Sequence, residues 1–353
     1  MASISRARKA SVTAMIPHVG AASLLHGGDL AAARRLFPGA PEPFIDLSTG
    51  INPHSYPLPQ LSSEIFARLP EPAALGRLTA AAAQAYGAPS PAHVVAAPGM
   101  QMLLPLVAAL VPPGRAAVLG PTYAEHVRVA ALVGHRVKEV TDIGQLKAAD
   151  LATIVNPNNP DGRMVGKDLL LALADELRSH GGLLVVDEAF MDVGPAGASL
   201  GDEVARGNII VLRSFGKFFG LAGLRLGFAL APADLAARLN ASLGPWPVAG
   251  PAIVIGEAAL ADRSWAEAMR ESLGRGAARL DEVLTDAGLE VVGGTSLFRL
   301  VQMPAAVELF HHLGRAGILV RHFVQQLTWL RFGLPEREDG WNRLRTALAA
   351  FRS

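Results

Sequence analysis

Cysteine is missing from all 353 residues of this chain. Disulfides, thiolate-ligated zinc and a thiol nucleophile are therefore excluded, and a reducing compartment, the cytoplasm, fits the composition. An excess of either charge is missing too, since 32 Lys and Arg stand against 31 Asp and Glu. That balance gives no support for a nucleic-acid partner. No apolar run reaches the length of a membrane span. Residues 1–10 carry Arg6, Arg8 and Lys9 with no long apolar core behind them. The start therefore reads as a basic tail and not as a signal peptide. What the chain does have is apolar side chains, half of its residues, and length for about two domains.

Repeated strand–loop–helix units begin near His93. Residues 94–97, 116–119, 136–140, 153–155, 183–186 and 209–212 are strand candidates, with helical stretches at 102–110 and 169–180. Strands alternating with helices predict a mostly parallel sheet. Upstream, residues 30–36 predict a helix, 44–48 a strand, and 61–86 a helical stretch split at Leu69-Pro70-Glu71-Pro72. Downstream, Trp246-Pro247-Val248 and Gly250-Pro251 read as a linker. Residues 253–284 read as helix, 289–300, 317–320 and 328–332 as strands, and 338–351 as a terminal helix. The predicted organisation is an N-terminal arm (1–50) folded onto the site, a large domain (51–245) and a smaller α+β domain (246–353).

Sheets of this kind bind ligands beyond the carboxyl ends of their strands. Gly99, Asn159, Asp187 and Lys217 each lie just after a predicted strand. Singly, each has a plain reading: an ordinary strand–helix turn, a turn between prolines, a carboxylate capping a strand, a solvated lysine in a glycine-rich loop. Jointly they place four polar loops on one edge. A lysine among apolar groups loses proton affinity, and a neutral amine can attack an aldehyde to form a Schiff base. The amide N–H groups of a helix start after Gly99 suit an anion. An amine for an aldehyde, an acid for a pyridine nitrogen and a cup for a phosphate are the needs of pyridoxal phosphate.

The ordered set Asn156-Pro157-Asn158-Asn159-Pro160-Asp161-Gly162, Asp187-Glu188-Ala189-Phe190, Ser214-Phe215-Gly216-Lys217 and Gly223-Leu224-Arg225-Leu226-Gly227 resembles the fold-type-I, aspartate-aminotransferase-like pyridoxal-phosphate (PLP) enzymes. The resemblance implies an α/β fold with a mostly parallel sheet and a smaller C-terminal domain. It implies PLP as cofactor, a homodimer, and Lys217, Asp187 and Tyr123 as catalytic residues. Lys217 would bind the cofactor aldehyde, Asp187 the pyridinium and Asn159 the ring oxygen. Tyr123 would stack on the ring, with Gly99, Met100, Ser214 and Arg225 around the phosphate. Arg331 matches the arginine that takes the substrate α-carboxylate, a role suited to its two-donor fork.

A narrower likeness is carried by His26-Gly27-Gly28, Ser48-Thr49-Gly50-Ile51-Asn52-Pro53, Asp187 to Asp192, and Gly317-Ile318-Leu319-Val320-Arg321. It points to the threonine-phosphate decarboxylases of cobalamin synthesis, relatives of the histidinol-phosphate aminotransferases. It implies a phosphorylated amino acid as substrate, with Arg321, His26, Gly28 and Asn52 near its phosphate. Amino transfer from histidinol phosphate or a related phosphorylated amine is the alternative, and a non-catalytic protein on this fold a third. Two positions depart from the pattern. Phe190 stands where aminotransferases carry a Tyr that bonds the ring oxygen. Leu69 stands where relatives carry a Tyr that reaches the neighbouring subunit's cofactor phosphate, which leaves Tyr56 as the candidate substitute.

Overall fold

A computed structural model describes residues 27–352. His26 and the basic tail lie outside them.

Twelve strands form two sheets among the described residues. They are β1 (Ile45–Leu47), β2 (Val94–Ala97), β3 (Arg115–Leu119), β4 (Arg136–Val140), β5 (Leu151–Val155), β6 (Leu183–Asp187), β7 (Ile209–Ser214), β8 (Gly227–Leu230), β9 (Glu290–Thr295), β10 (Phe298–Gln302), β11 (Ile318–His322) and β12 (Trp329–Gly333). The larger sheet has the order β2-β8-β7-β6-β5-β3-β4. Its β4–β3, β3–β5, β5–β6 and β6–β7 pairs are parallel. Strand β8 runs antiparallel to both neighbours, so β2 and β7 point the same way.

Strands β5 and β6, Leu-Ala-Thr-Ile-Val and Leu-Leu-Val-Val-Asp, are buried along their whole length. Unbroken apolar runs of this kind belong to sheets covered on both faces. One cover is the helix Lys167–Arg178, which buries Leu170, Leu173, Ala174 and Leu177. These positions recur at one helical face. The helix Pro72–Tyr86 starts on a proline and ends at Gly87, which takes the left-handed φ of 78°, a common start signal and a common stop signal.

The second sheet has the order β1-β11-β12-β10-β9. Strand β1, from the N-terminal region, pairs in parallel with β11. The early chain is thus built into the C-terminal sheet.

Several expectations need correction. Strand β8 and the helix Ala233–Leu243 carry no expectation above. The Gly250-Pro251 pair opens the helix Gly250–Ala261 instead of lying in a linker, which fits proline's tolerance at a first turn. The stretch 253–284 is two helices, because Asp262 ends one and caps Arg263–Asp286, accepting from Trp265 N at 3.0 Å. Residues 289–300 form the β9–β10 hairpin, not one strand.

Candidate active site

Strands β2, β3, β5, β6 and β7 end on one edge of the large sheet, and β8 begins there. Register brings Ala97 and Ser214 both against Gly227. Gly99 follows with φ 90°, and a Cβ placed on it would sit 2.6 Å from Arg225 Nη2. A Cβ on Gly227 would lie 2.3 Å from Met100 N. Only glycine fits either spot without displacing a guanidinium or a helix start. Arg225 itself adopts φ 53°, the left-handed region, where a non-glycine residue is uncommon. The nine-residue helix Met100–Ala108 opens at this point. The start of this helix and the Arg225 guanidinium thus lie against Gly99 and Gly227, at spots that side chains at those two positions would fill, with Ser214 the register partner of Gly227.

Asp187 closes β6 and is buried. Its Oδ1 accepts from Ala189 N at 2.9 Å. Its Oδ2 lies 2.7 Å from His126 Nε2, so the ring nitrogen facing it carries the hydrogen. Tyr123 meets the His126 ring edge-on at 6.0 Å, and its hydroxyl donates to Gln101 Oε1 at 3.2 Å. Burial, then Glu125 and Asp187, push the Tyr123 phenol up to about 12.

Lys217 lies in the short helix Phe215–Phe218 after β7. Its Nζ stands 5.9 Å from the centre of the Phe190 ring. Its amine is pushed down to about 8, first by burial and then by Arg331, with Asp187 opposing and Arg225 adding to the drop.

The second sheet supplies two cations. Arg321 on β11 and Arg331 on β12 are direct register partners. Like charges placed so repel. Burial and then Arg321 push Arg331 down to about 9, and burial lowers Arg321. Arg331 donates to Asn159 Oδ1 and, at 2.9 Å, to the Ser48 carbonyl. Its buried Nε has no partner among the described residues. An anion placed here would answer that donor and the repulsion together.

The neighbouring asparagines are structural. Asn156 exchanges hydrogen bonds with Val165, and Asn158 bonds Thr122, Pro121 and Asp161. They shape the loop that leaves Asn159 facing Arg331.

The other site expectations divide. Gly28, at φ 89°, donates its N–H to Ser48 Oγ at 2.8 Å, which brings that end of the arm beside the loop Arg331 grips. Asn52 is inside the site region, but its amide donates to Phe218 O and its Oδ1 accepts from His54 N, both at 2.8 Å. Its side chain thus binds backbone. Tyr56, the candidate substitute for a tyrosine at position 69, is engaged within its own chain. Its ring packs on Trp265 and Phe219, and its hydroxyl points to Asp262 of the same chain.

The donor set fits pyridoxal phosphate on its chemistry: a half-buried lysine of lowered proton affinity, a buried carboxylate, and glycines that leave room for an anion at a helix start. A family model for aminotransferase class I and II matches residues 43–346. The chain belongs to that family.

Within the class I and II aminotransferases some likenesses are narrower. The chain is 42% identical over 330 residues to a threonine-phosphate decarboxylase of Sinorhizobium, covering 93% of this chain and 98% of that one. It is 42% identical over 332 residues to the enzyme of the same name in Pseudomonas aeruginosa, with the same coverage. A histidinol-phosphate aminotransferase of Vibrio vulnificus is 32% identical over 62% of this chain and 67% of its own. The solved L-threonine-O-3-phosphate decarboxylase of Porphyromonas gingivalis superposes with a TM-score of 0.72, covering 87% of this chain and 98% of that one, at 21% identity. At that identity the likeness shows the fold.

His126 was not among the expected residues. Its one signal was position, three residues after Tyr123 on the helix Glu125–Leu132.

Proposed function

We propose that this chain is a PLP-dependent carboxy-lyase that decarboxylates L-threonine O-3-phosphate to (R)-1-amino-2-propanol O-2-phosphate in cobalamin biosynthesis. The observation that carries the reading is the cross-strand pair Arg321 and Arg331 beside half-buried Lys217. Two opposed guanidiniums suit a substrate with two anionic groups, a carboxylate and a phosphate. Relatives named for that reaction over nearly their whole length support the choice.

Lys217 would hold the cofactor aldehyde, Asp187 its ring nitrogen, Asn159 its ring oxygen, and Tyr123 its ring face. Gly99, Met100, Ser214 and Arg225 would hold its phosphate. When bound, the cofactor supplies an electron sink for the pair released when a bond at the substrate Cα breaks. The protein's own part is orientation. Arg331 grips the carboxylate through its fork and Arg321 the phosphate, so rotation about the Cα–N bond is fixed from two ends. Gly28 and Asn52 border the phosphate end in this reading, and the family likeness alone assigns His26 to the substrate phosphate. His126 buttresses Asp187 and keeps its oxygens aligned. Lys217 Nζ, having taken a proton from the substrate ammonium, would deliver it to Cα as CO₂ departs. Phe190 brings an apolar ring without a hydroxyl under that amine.

The same reading makes the protein a cytoplasmic homodimer. It divides the chain into an arm (1–50), a large unit (51–245) and a smaller one (246–353).

The test is CO₂ release from L-threonine O-3-phosphate by PLP-loaded protein with no 2-oxo acid present. Equimolar CO₂ and aminopropanol phosphate are expected. Amino transfer from histidinol phosphate on adding 2-oxoglutarate, with no CO₂ from threonine phosphate, would overturn the lyase assignment in favour of the aminotransferase.

A further inference from the structure

Directly behind the site lies a buried group of charges that the reaction above does not use. Arg213, one residue before Ser214, donates from Nη1 to Glu188 Oε2 at 2.9 Å and from Nη2 to Asp192 Oδ1 at 2.8 Å. All three residues are buried. The guanidinium lies 4.3 Å from the centre of the Tyr86 ring. Glu188 also accepts from Ser199 Oγ at 2.6 Å and Leu200 N at 2.8 Å. Burial raises the Glu188 carboxyl despite Arg213.

As a stabilising device this group is poor. Two carboxylates share one guanidinium, and Asp192 Oδ2 and Arg213 Nε have no partner among the described residues. Buried ion triads of this kind can often be replaced by apolar residues without loss of stability. Their placement is what stands out. Glu188 directly follows Asp187, and Glu188 and Asp192 flank Phe190, the ring beneath Lys217 Nζ. Beyond Asp192 the connection continues. The Asp192 carbonyl accepts from Arg270 Nε at 2.7 Å, and the Arg270 guanidinium lies 5.3 Å from the ring of Phe218, next to Lys217. One strut thus ties the ends of β6 and β7 and the turn between Asp187 and Asp192 to the helix carrying Lys217.

We infer that Arg213 is a positioning residue: by bridging Glu188 and Asp192 it fixes Asp187 and Phe190 relative to Lys217 and so sets how the chain holds its cofactor. The inference rests on the PLP reading above. Lysine at 213 keeps the charge but cannot reach both carboxylates as a planar fork does.

The experiment compares wild type with Arg213→Lys and with the apolar triple variant Arg213→Met, Glu188→Leu, Asp192→Leu. Three quantities are read: thermal midpoint of the apo-protein, Kd for PLP, and the pH midpoint of the visible absorbance of the holo-protein. The triple variant is expected to match wild type in thermal midpoint. Both variants should bind PLP on the order of tenfold to a hundredfold more weakly, as expected when supporting residues let a site slip by a fraction of an ångström. Both should move the pH midpoint by about half a unit or more, because the charges and dipoles around the lysine are no longer fixed. PLP affinity and pH midpoint unchanged in both folded variants would overturn the inference. So would loss of fold in both, which would make the group a folding requirement. If the triple variant alone fails to fold, Arg213→Lys decides on the same two readouts. Absence of visible absorbance in wild type would overturn the PLP reading itself, and the positioning role with it.

Discussion

At Lys217 the surroundings and the proposed role agree, because an amine that meets an aldehyde must be neutral and desolvation with two nearby guanidiniums penalises its charged form. Burial and the Arg331 and Arg225 charges bring its pKa from 10.5 to about 8 in the fold. Below about pH 8 the amine is protonated in both folded and unfolded chains, and the cost of burying the charge is complete. Between about 8 and 10.5 the unfolded chain binds a proton that the native one does not, so stability rises with pH. The apo-protein of Lys217→Met should therefore be more stable than wild type near neutrality by about 3 kcal/mol. That gain should shrink as pH climbs from about 8 to about 10.5. Urea unfolding at several pH values measures it, and a gain independent of pH would show that Lys217 is not the titrating group. Arg331 was legible in the sequence as a motif member. Its unmet Nε was not, because a buried donor is orphaned by its surroundings and not by its neighbours in the chain.

Among the elements, the loop between β5 and the helix Lys167–Arg178 meets the β9–β10 hairpin glycine to glycine. A Cβ on Gly162 would lie 2.0 Å from the Gly294 carbonyl oxygen, and one on Gly293 would lie 2.2 Å from the Asp161 carbonyl oxygen. Gly162 also has φ 72°. This backbone contact seats Asn159 against Arg331, which stands on the strand next to that hairpin. Gly162→Ala should destabilise by on the order of 1–3 kcal/mol from the backbone strain, with the clash added. The urea midpoint should fall at constant slope, and KM for threonine phosphate should rise because the Asn159–Arg331 contact opens. A wild-type KM in the folded variant would remove the loop from substrate binding. The loop's turn character was plain from its prolines and glycine. Its partner was not, since nothing local in 156–162 names a hairpin about 130 residues away.

At the scale of the whole molecule, large apolar side chains lie exposed around the short helix Glu64–Ala67. Phe66 is 68% and Leu69 65% exposed. This helix packs on the start of Gly250–Ala261, where a Cβ on Gly250 would sit 2.6 Å from Ile65 O, four residues after exposed Trp246. The homodimer proposed above gives this face a cover. Sedimentation should show twice 36.9 kDa, and Phe66→Glu should weaken dimerisation by roughly thirtyfold, the loss of an interface aromatic worth about 2 kcal/mol. A protein that sediments as a monomer at working concentrations would refute the dimer. By itself the sequence determined the strand–helix alternation and the identities at the sheet edge. Apolar runs and turn residues act over a few positions, and loops after parallel strands must emerge on one side. Tertiary structure alone decided that Arg321 opposes Arg331, that His126 backs Asp187, that Asn52 binds backbone, and that β1 joins the C-terminal sheet. Each depends on register between segments far apart in the chain, and register is set by how whole faces pack, which no local spacing encodes.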